Sequence, residues 1–100
     1  MTRDPVTPAV RDYVLRRDKA CLLWAMDPDH QCRDIWGTPH DPRDLNRLTL
    51  EHVKDQPRMG RRAPSDARHM VALCGAANVG VPSKEQRAAF RSYLARVEAA

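Results

Sequence analysis

Two short apolar runs, LNRLTLEHV (45–53) and HMVALC (69–74), constrain the fold of this chain more than any other feature. In the first, Leu48, Leu50 and His52 alternate with Thr49, Glu51 and Val53, the period-two pattern of a β-strand. The second has the length of one strand and can pair with the first in antiparallel sense. Between them, KDQPRMGRRAPSD (54–66) breaks regular structure through Pro57, Gly60 and Pro64, so an exposed loop is expected. Such a loop is long for a hairpin connection, a length usually associated with a use. The following GAANVGVP (75–82) reads as a turn or one short helix.

Helices are expected on both sides of this hairpin. In VTPAVRDYVLRRD, Thr7 is an N-cap and Pro8 a first helical residue, and Val10, Tyr13, Val14 and Arg17 recur at helical spacing. Near the end of the chain, Ser83 and Gln86 form a capping box, and Phe90, Tyr93, Leu94 and Val97 make one apolar face. Lys19 to Arg47 lacks periodicity and mixes Pro, Gly and Asp, so irregular structure or short strands are expected there. At 100 residues the chain reads as a single α+β domain (1–100) with a modest core, which a metal, ligand or partner would brace.

Charge is unevenly spread. The formal net charge is +4 and the isoelectric point about 9.3, which favours anionic partners such as nucleic acid. Lys54 to His69 holds five basic residues against two aspartates, whereas Met26 to Arg47 holds five aspartates against three arginines. The positive charge therefore follows Glu51 and His52 directly. The opening MTRDPVTPAV has no apolar signal region, no run approaches membrane-spanning length, and the three cysteines are an odd number. These features lead to the expectation of a cytoplasmic protein, with no membrane contact and with reduced thiols available to metal.

Neighbouring strand residues face opposite ways, so Glu51 and His52 share one site only where the strand twists or ends. There, a carboxylate can hold a hard divalent cation and a neutral imidazole can take a proton from water. Those are the parts of metal-assisted phosphodiester hydrolysis. On its own, a Glu-His step at a strand end is more often solvated surface.

The order LTLEHV, a basic Pro-containing loop, then DARHMVALCGAANVG resembles the HNH, or ββα-metal, nuclease family, and small phage-encoded HNH-type proteins in particular. The resemblance centres on a motif core at 48–80 and implies a hairpin-plus-helix core with flanking N- and C-terminal helices. It further implies a metal-dependent DNA endonuclease in which Glu51 is the first metal ligand and His52 the general base. His69 stands where the family usually has asparagine and would orient His52. Asn78 stands at the final metal-binding histidine, and its amide oxygen suits Mg²⁺ or Mn²⁺ better than Zn²⁺. Read without the family, His69 is an ordinary strand-end histidine or itself a ligand beside Glu51, and Asn78 is a turn residue tolerating positive φ. Because these two positions depart from the usual letters, the alternative is a catalytically degenerate relative that binds DNA or serves as a phage packaging or replication accessory. A third class is a small structural protein whose last helix docks on a partner.

Two further sets belong to this reading. Lys54, Arg58, Arg61 and Arg62 on the basic loop would meet DNA phosphates, contacts that are salt-dependent and carry little base information. Many HNH proteins brace the scaffold with zinc on two Cys-x-x-Cys pairs, but here the second cysteine of each pair is replaced, by Trp24 and Ala77. Cys21, Cys32 and Cys74 can still form a structural Zn²⁺ set with His30 or His40 as fourth ligand. Scattered buried thiols acting as small hydrophobes are the other outcome.

Overall fold

A computed structural model describes residues 6–53 and 65–98. Helix α1 (Pro8–Asp18) starts as expected: the Thr7 hydroxyl accepts from the Val10 amide, and Pro8 opens the first turn. It stops at Lys19, whose φ of 66° is left-handed and whose amide donates to Leu15 O. Val14, Leu15 and Asp18 are the buried residues of α1.

The stretch after α1 holds a second helix that the broken pattern hid. Helix α2 (Leu22–Met26) buries Leu22 and Leu23. From Asp27 onward the backbone is held by aspartates acting as turn caps. Asp27 Oδ1 accepts from Asp29 N, Asp34 Oδ1 from Trp36 N and Thr38 N, and Asp41 Oδ1 from Arg43 N. The amide of Thr38 holds the Asp34 carboxyl below the usual carboxylate range. An isolated bridge between Arg33 and Pro39 closes the turn that carries Trp36.

Strands β1 (Leu48–His52) and β2 (Met70–Cys74) pair antiparallel, with Leu48 opposite Cys74 and His52 opposite Met70. Helix α3 (Gly75–Val79) follows β2 at once, giving the order β-β-α, and α4 (Lys84–Val97) closes the described chain. Its capping box is present in full, and Phe90 and Leu94 are its buried residues. All five residues of β2 are buried, whereas in β1 only Leu48 is. Burying side chains such as Met70, Val71 and Leu73 contributes roughly 1.5–3 kcal/mol each. β2 is thus the middle of the core.

An isolated two-stranded sheet is marginal in water, and both its edges expose unpaired backbone groups. Here side chains cover both. Val53 N donates to His69 O, so odd-numbered residues of β1 face their partners through hydrogen bonds and even-numbered ones point their polar groups outward. On the β1 edge, Arg11 Nη2 donates to Leu48 O and Asn78 Nδ2 to Leu50 O. On the β2 edge, Arg17 Nη2 donates to Met70 O, Asp18 Oδ2 accepts from Ala72 N, and Cys21 Sγ accepts from Cys74 N. The residues ending α1 and the one opening α2 therefore do the work of a third strand.

Candidate functional site

The hairpin end carries the residues that the sequence pattern singled out. β1 ends at His52, and Glu51 and His52 are both half-buried. His52 Nε2 lies 2.9 Å from Ser65 Oγ. His69 closes a short 3₁₀ turn (Ala67–His69) capped by Asp66, and its Nδ1 lies 2.6 Å from Asp66 Oδ1. Its carbonyl pairs with Val53, the residue after His52. The basic-loop residues Lys54, Arg58, Arg61 and Arg62 lie outside the described residues.

Asn78 sits on α3, which folds back over β1. Its Nδ2 donates to Thr49 Oγ1 at 2.9 Å and to Leu50 O at 3.2 Å. Thr49 and Glu51 are two apart on one strand and share a face. The helix thus brings Asn78 to the stretch of β1 immediately before Glu51 and His52. α3 can approach closely at its start because Gly75 has no side chain: a Cβ there would lie 3.1 Å from both Cγ2 and N of Ile35. Ala76 N donates to Arg33 O beside that contact.

The second cluster has the donor residues and the spacing of a candidate metal centre. The ligand atoms of Cys21, His30, Cys32 and Cys74 all lie within 4.8 Å of one another. Four ligands on a tetrahedron with metal–sulfur bonds of about 2.3 Å stand about 3.8 Å apart, so a small inward adjustment is enough to close such a site. Cys74 Sγ is 3.5 Å from His30 Nε2. Cys21 and Cys74 are fully buried and Cys32 nearly so, and none of the three is in a disulfide. Burial, reinforced by the neighbouring Cys21 and Cys74, pushes the Cys32 thiol far up. Thiolates crowded in such a place need a cation to exist together, and a coordinating cation would deprotonate them. The Cys74 amide pointing at Cys21 Sγ is the kind of second partner that steadies a metal-bound sulfur. These residues can therefore hold a metal ion.

Of the two histidines open to this role, the cluster takes His30. His40 points Nδ1 at Asp41 O, 2.9 Å away, and its Nε2 is buried with no hydrogen-bond partner among the described residues. Sequence reasoning missed Thr49 and Ser65. Thr49 had a signal, its position two residues before Glu51 on one strand face, while nothing in sequence brings Ser65 to His52 across the intervening residues. Among the described residues no helix is long and apolar enough to cross a membrane. Compared with known protein families, with curated proteins and with solved structures, the chain matches none.

Proposed function

We propose that this chain is a metal-dependent DNA endonuclease of the ββα-metal (HNH) type, with zinc in the Cys21, His30, Cys32, Cys74 centre as a structural brace. The observation that carries the reading is the return of α3 across β1, which brings Asn78 against Thr49 and Leu50, just before Glu51 and His52. A hairpin whose end bears an acid and an imidazole, with a helical oxygen donor packed on the same strand, suits phosphodiester hydrolysis. Glu51 and Asn78 would hold Mg²⁺ or Mn²⁺, which when bound supplies charge neutralisation at the scissile phosphate and the departing oxygen.

His52 is the general base. Its ring lies against Ser65 Oγ through Nε2, and the imidazole takes the proton as water attacks phosphorus. The proton ends on His52 and the bond from phosphorus to the leaving oxygen breaks. His69, held by Asp66, lies beside the backbone pair that ends the strand and fixes the position of His52 through it. Lys54, Arg58, Arg61 and Arg62 neutralise substrate phosphates, so binding weakens as salt rises and sequence preference is slight.

A second reading has its own support: His69 and Asn78 replace the asparagine and histidine usual to such motifs, as they would in a DNA-binding accessory protein of phage packaging or replication without turnover. Supercoiled plasmid incubated with Mg²⁺, Mn²⁺ or EDTA separates the two. Cleavage with either metal, abolished by EDTA and reduced at least ~10²-fold in His52→Ala, is the expected result. Cleavage undiminished in His52→Ala rejects the mechanism, and retention of DNA without any cleavage selects the accessory role. Elemental analysis of the purified protein should find zinc, lost in Cys32→Ser.

A further inference from the structure

We propose that Thr49 is a positioning residue that fixes the polarity of the Asn78 amide, so that α3 offers an oxygen, and not an N–H, to a hard divalent cation. The inference rests on the site proposed above and follows from a chain of hydrogen bonds with one consistent direction. Leu73 O can only accept, so Thr49 Oγ1, 3.0 Å away, donates to it. With its hydrogen committed, Thr49 Oγ1 can only accept from Asn78, so the Asn78 atom at 2.9 Å must be nitrogen. Leu50 O, the second partner of that atom at 3.2 Å, is again only an acceptor. Both amide hydrogens are thereby directed into β1, and Oδ1, on the other arm of the planar amide, carries the lone pairs that remain.

The Thr49 hydroxyl is not needed for the sheet. Thr49 and Leu73 are directly opposite and belong to the hydrogen-bonded class of pairs, so Leu73 O already has the Thr49 amide. What the hydroxyl adds is direction to Asn78. A carboxylate at position 78 lacks the two N–H groups and would set an oxygen against Leu50 O. Asn78→Asp should therefore bind a cation no more tightly than the parent, although charge alone argues for tighter binding.

The test is Mn²⁺ binding, followed by calorimetry and by the electron paramagnetic resonance of free Mn²⁺, on protein whose Cys/His centre is loaded with zinc. Thr49→Val should weaken Mn²⁺ binding about tenfold, the usual effect of losing one well-placed hydrogen bond. Thr49→Ser, which keeps the hydroxyl, should bind within about twofold of the parent, and thermal unfolding of both should stay close to the parent's. Equal Mn²⁺ affinity in the parent and Thr49→Val overturns the proposal, as does a parent that binds no Mn²⁺ or an Asn78→Asp that binds markedly tighter. If Thr49→Val does not fold, the serine and aspartate variants decide the matter. Mn²⁺ binding that follows Thr49 in a protein that never cuts DNA would uphold the proposal while removing the nuclease reading. Metal-dependent cleavage by Thr49→Val at the parent's rate and Mn²⁺ requirement would do the reverse.

Discussion

Asp18 is a fully buried carboxylate at the end of α1, and everything around it answers its charge. Oδ1 accepts from Arg17 Nε at 2.7 Å and from the Tyr93 hydroxyl at 2.6 Å, and Oδ2 from Ala72 N at 2.8 Å. Arg17 in turn donates to Ala67 O and Met70 O, and pairs with Glu98. One residue pair thus joins α1, β2 and the end of α4. Removing one partner of such a pair leaves the other charge buried, so Asp18→Ala should destabilise the protein by about 3–5 kcal/mol in urea unfolding. A loss below 1 kcal/mol would show that water reaches the site. Tyr93→Phe removes only the hydroxyl and should cost roughly 1.5–3 kcal/mol near neutral pH. Burial, then the bond to Asp18, raises the Tyr93 phenol to about 12 from an ordinary value of 10.0. The folded state therefore holds this proton more tightly. That contribution to stability is complete below pH 10 and lost as pH rises from 10 to 12. Tyr93→Phe should show a shallower fall in stability across that window, and an unchanged slope would mean that Tyr93 does not titrate there. None of this was visible in the sequence, where Arg17 read as a position on the helical repeat and nothing set Asp18 apart. Burial of a charge depends on what folds over it, which adjacency in the chain does not reveal.

At the level of elements, what could be read followed from local rules. Thr7 with Pro8, the Ser83–Gln86 capping box and the β1 and β2 runs each carry their signal within a few residues, and the structure bears out those four elements. Helix α2 was missed because five residues are too few for a helical repeat to show, and the turns after it depend on single aspartates. The candidate metal centre stands between these cases: its cysteines were legible, but the choice of His30 over His40 was made by those turns. Two substitutions test how tightly α3 is set. Gly75→Ala puts a methyl 3.1 Å from the side chain and backbone of Ile35, so that contact must open, and a cost of about 1–3 kcal/mol is expected. A cost near zero would show that the Ile35 turn yields. Val81, between α3 and α4, has φ of 61°, a left-handed conformation that is poor for a β-branched residue, and its side chain is mostly exposed. Val81→Gly relieves that strain while losing little burial, and should raise stability by about 1 kcal/mol despite the added freedom of glycine when unfolded. A fall in melting temperature would count against it.

Across the whole molecule, the sheet is held from one side by a polar network, and a metal in the cysteine–histidine cluster would hold it from that side again by different chemistry. The Arg17–Asp18–Tyr93 network ties β2 to α1 and α4, and with a metal bound the Cys21, His30, Cys32, Cys74 cluster would tie its far end, Cys74, to the start of α2 and to the turns after it. Because Cys74 directly precedes α3, the metal would govern the seat of Asn78, whereas Ala72 N, bonded to Asp18, would be guarded by the network alone. A ligand that binds only the folded state adds to stability by mass action, and a chelator withdraws that addition. Stripping the metal should therefore act in two stages. Amide hydrogen exchange should first accelerate over residues 20–44 and 75–80, while Ala72 and the middle of α4 keep their protection, and global unfolding should follow at a lower temperature than in the loaded protein. Protection lost at Ala72 together with those segments would mean that the metal supports the entire core, not one end of it. No change anywhere would mean that the three thiols are packing residues and that the hairpin end needs no brace.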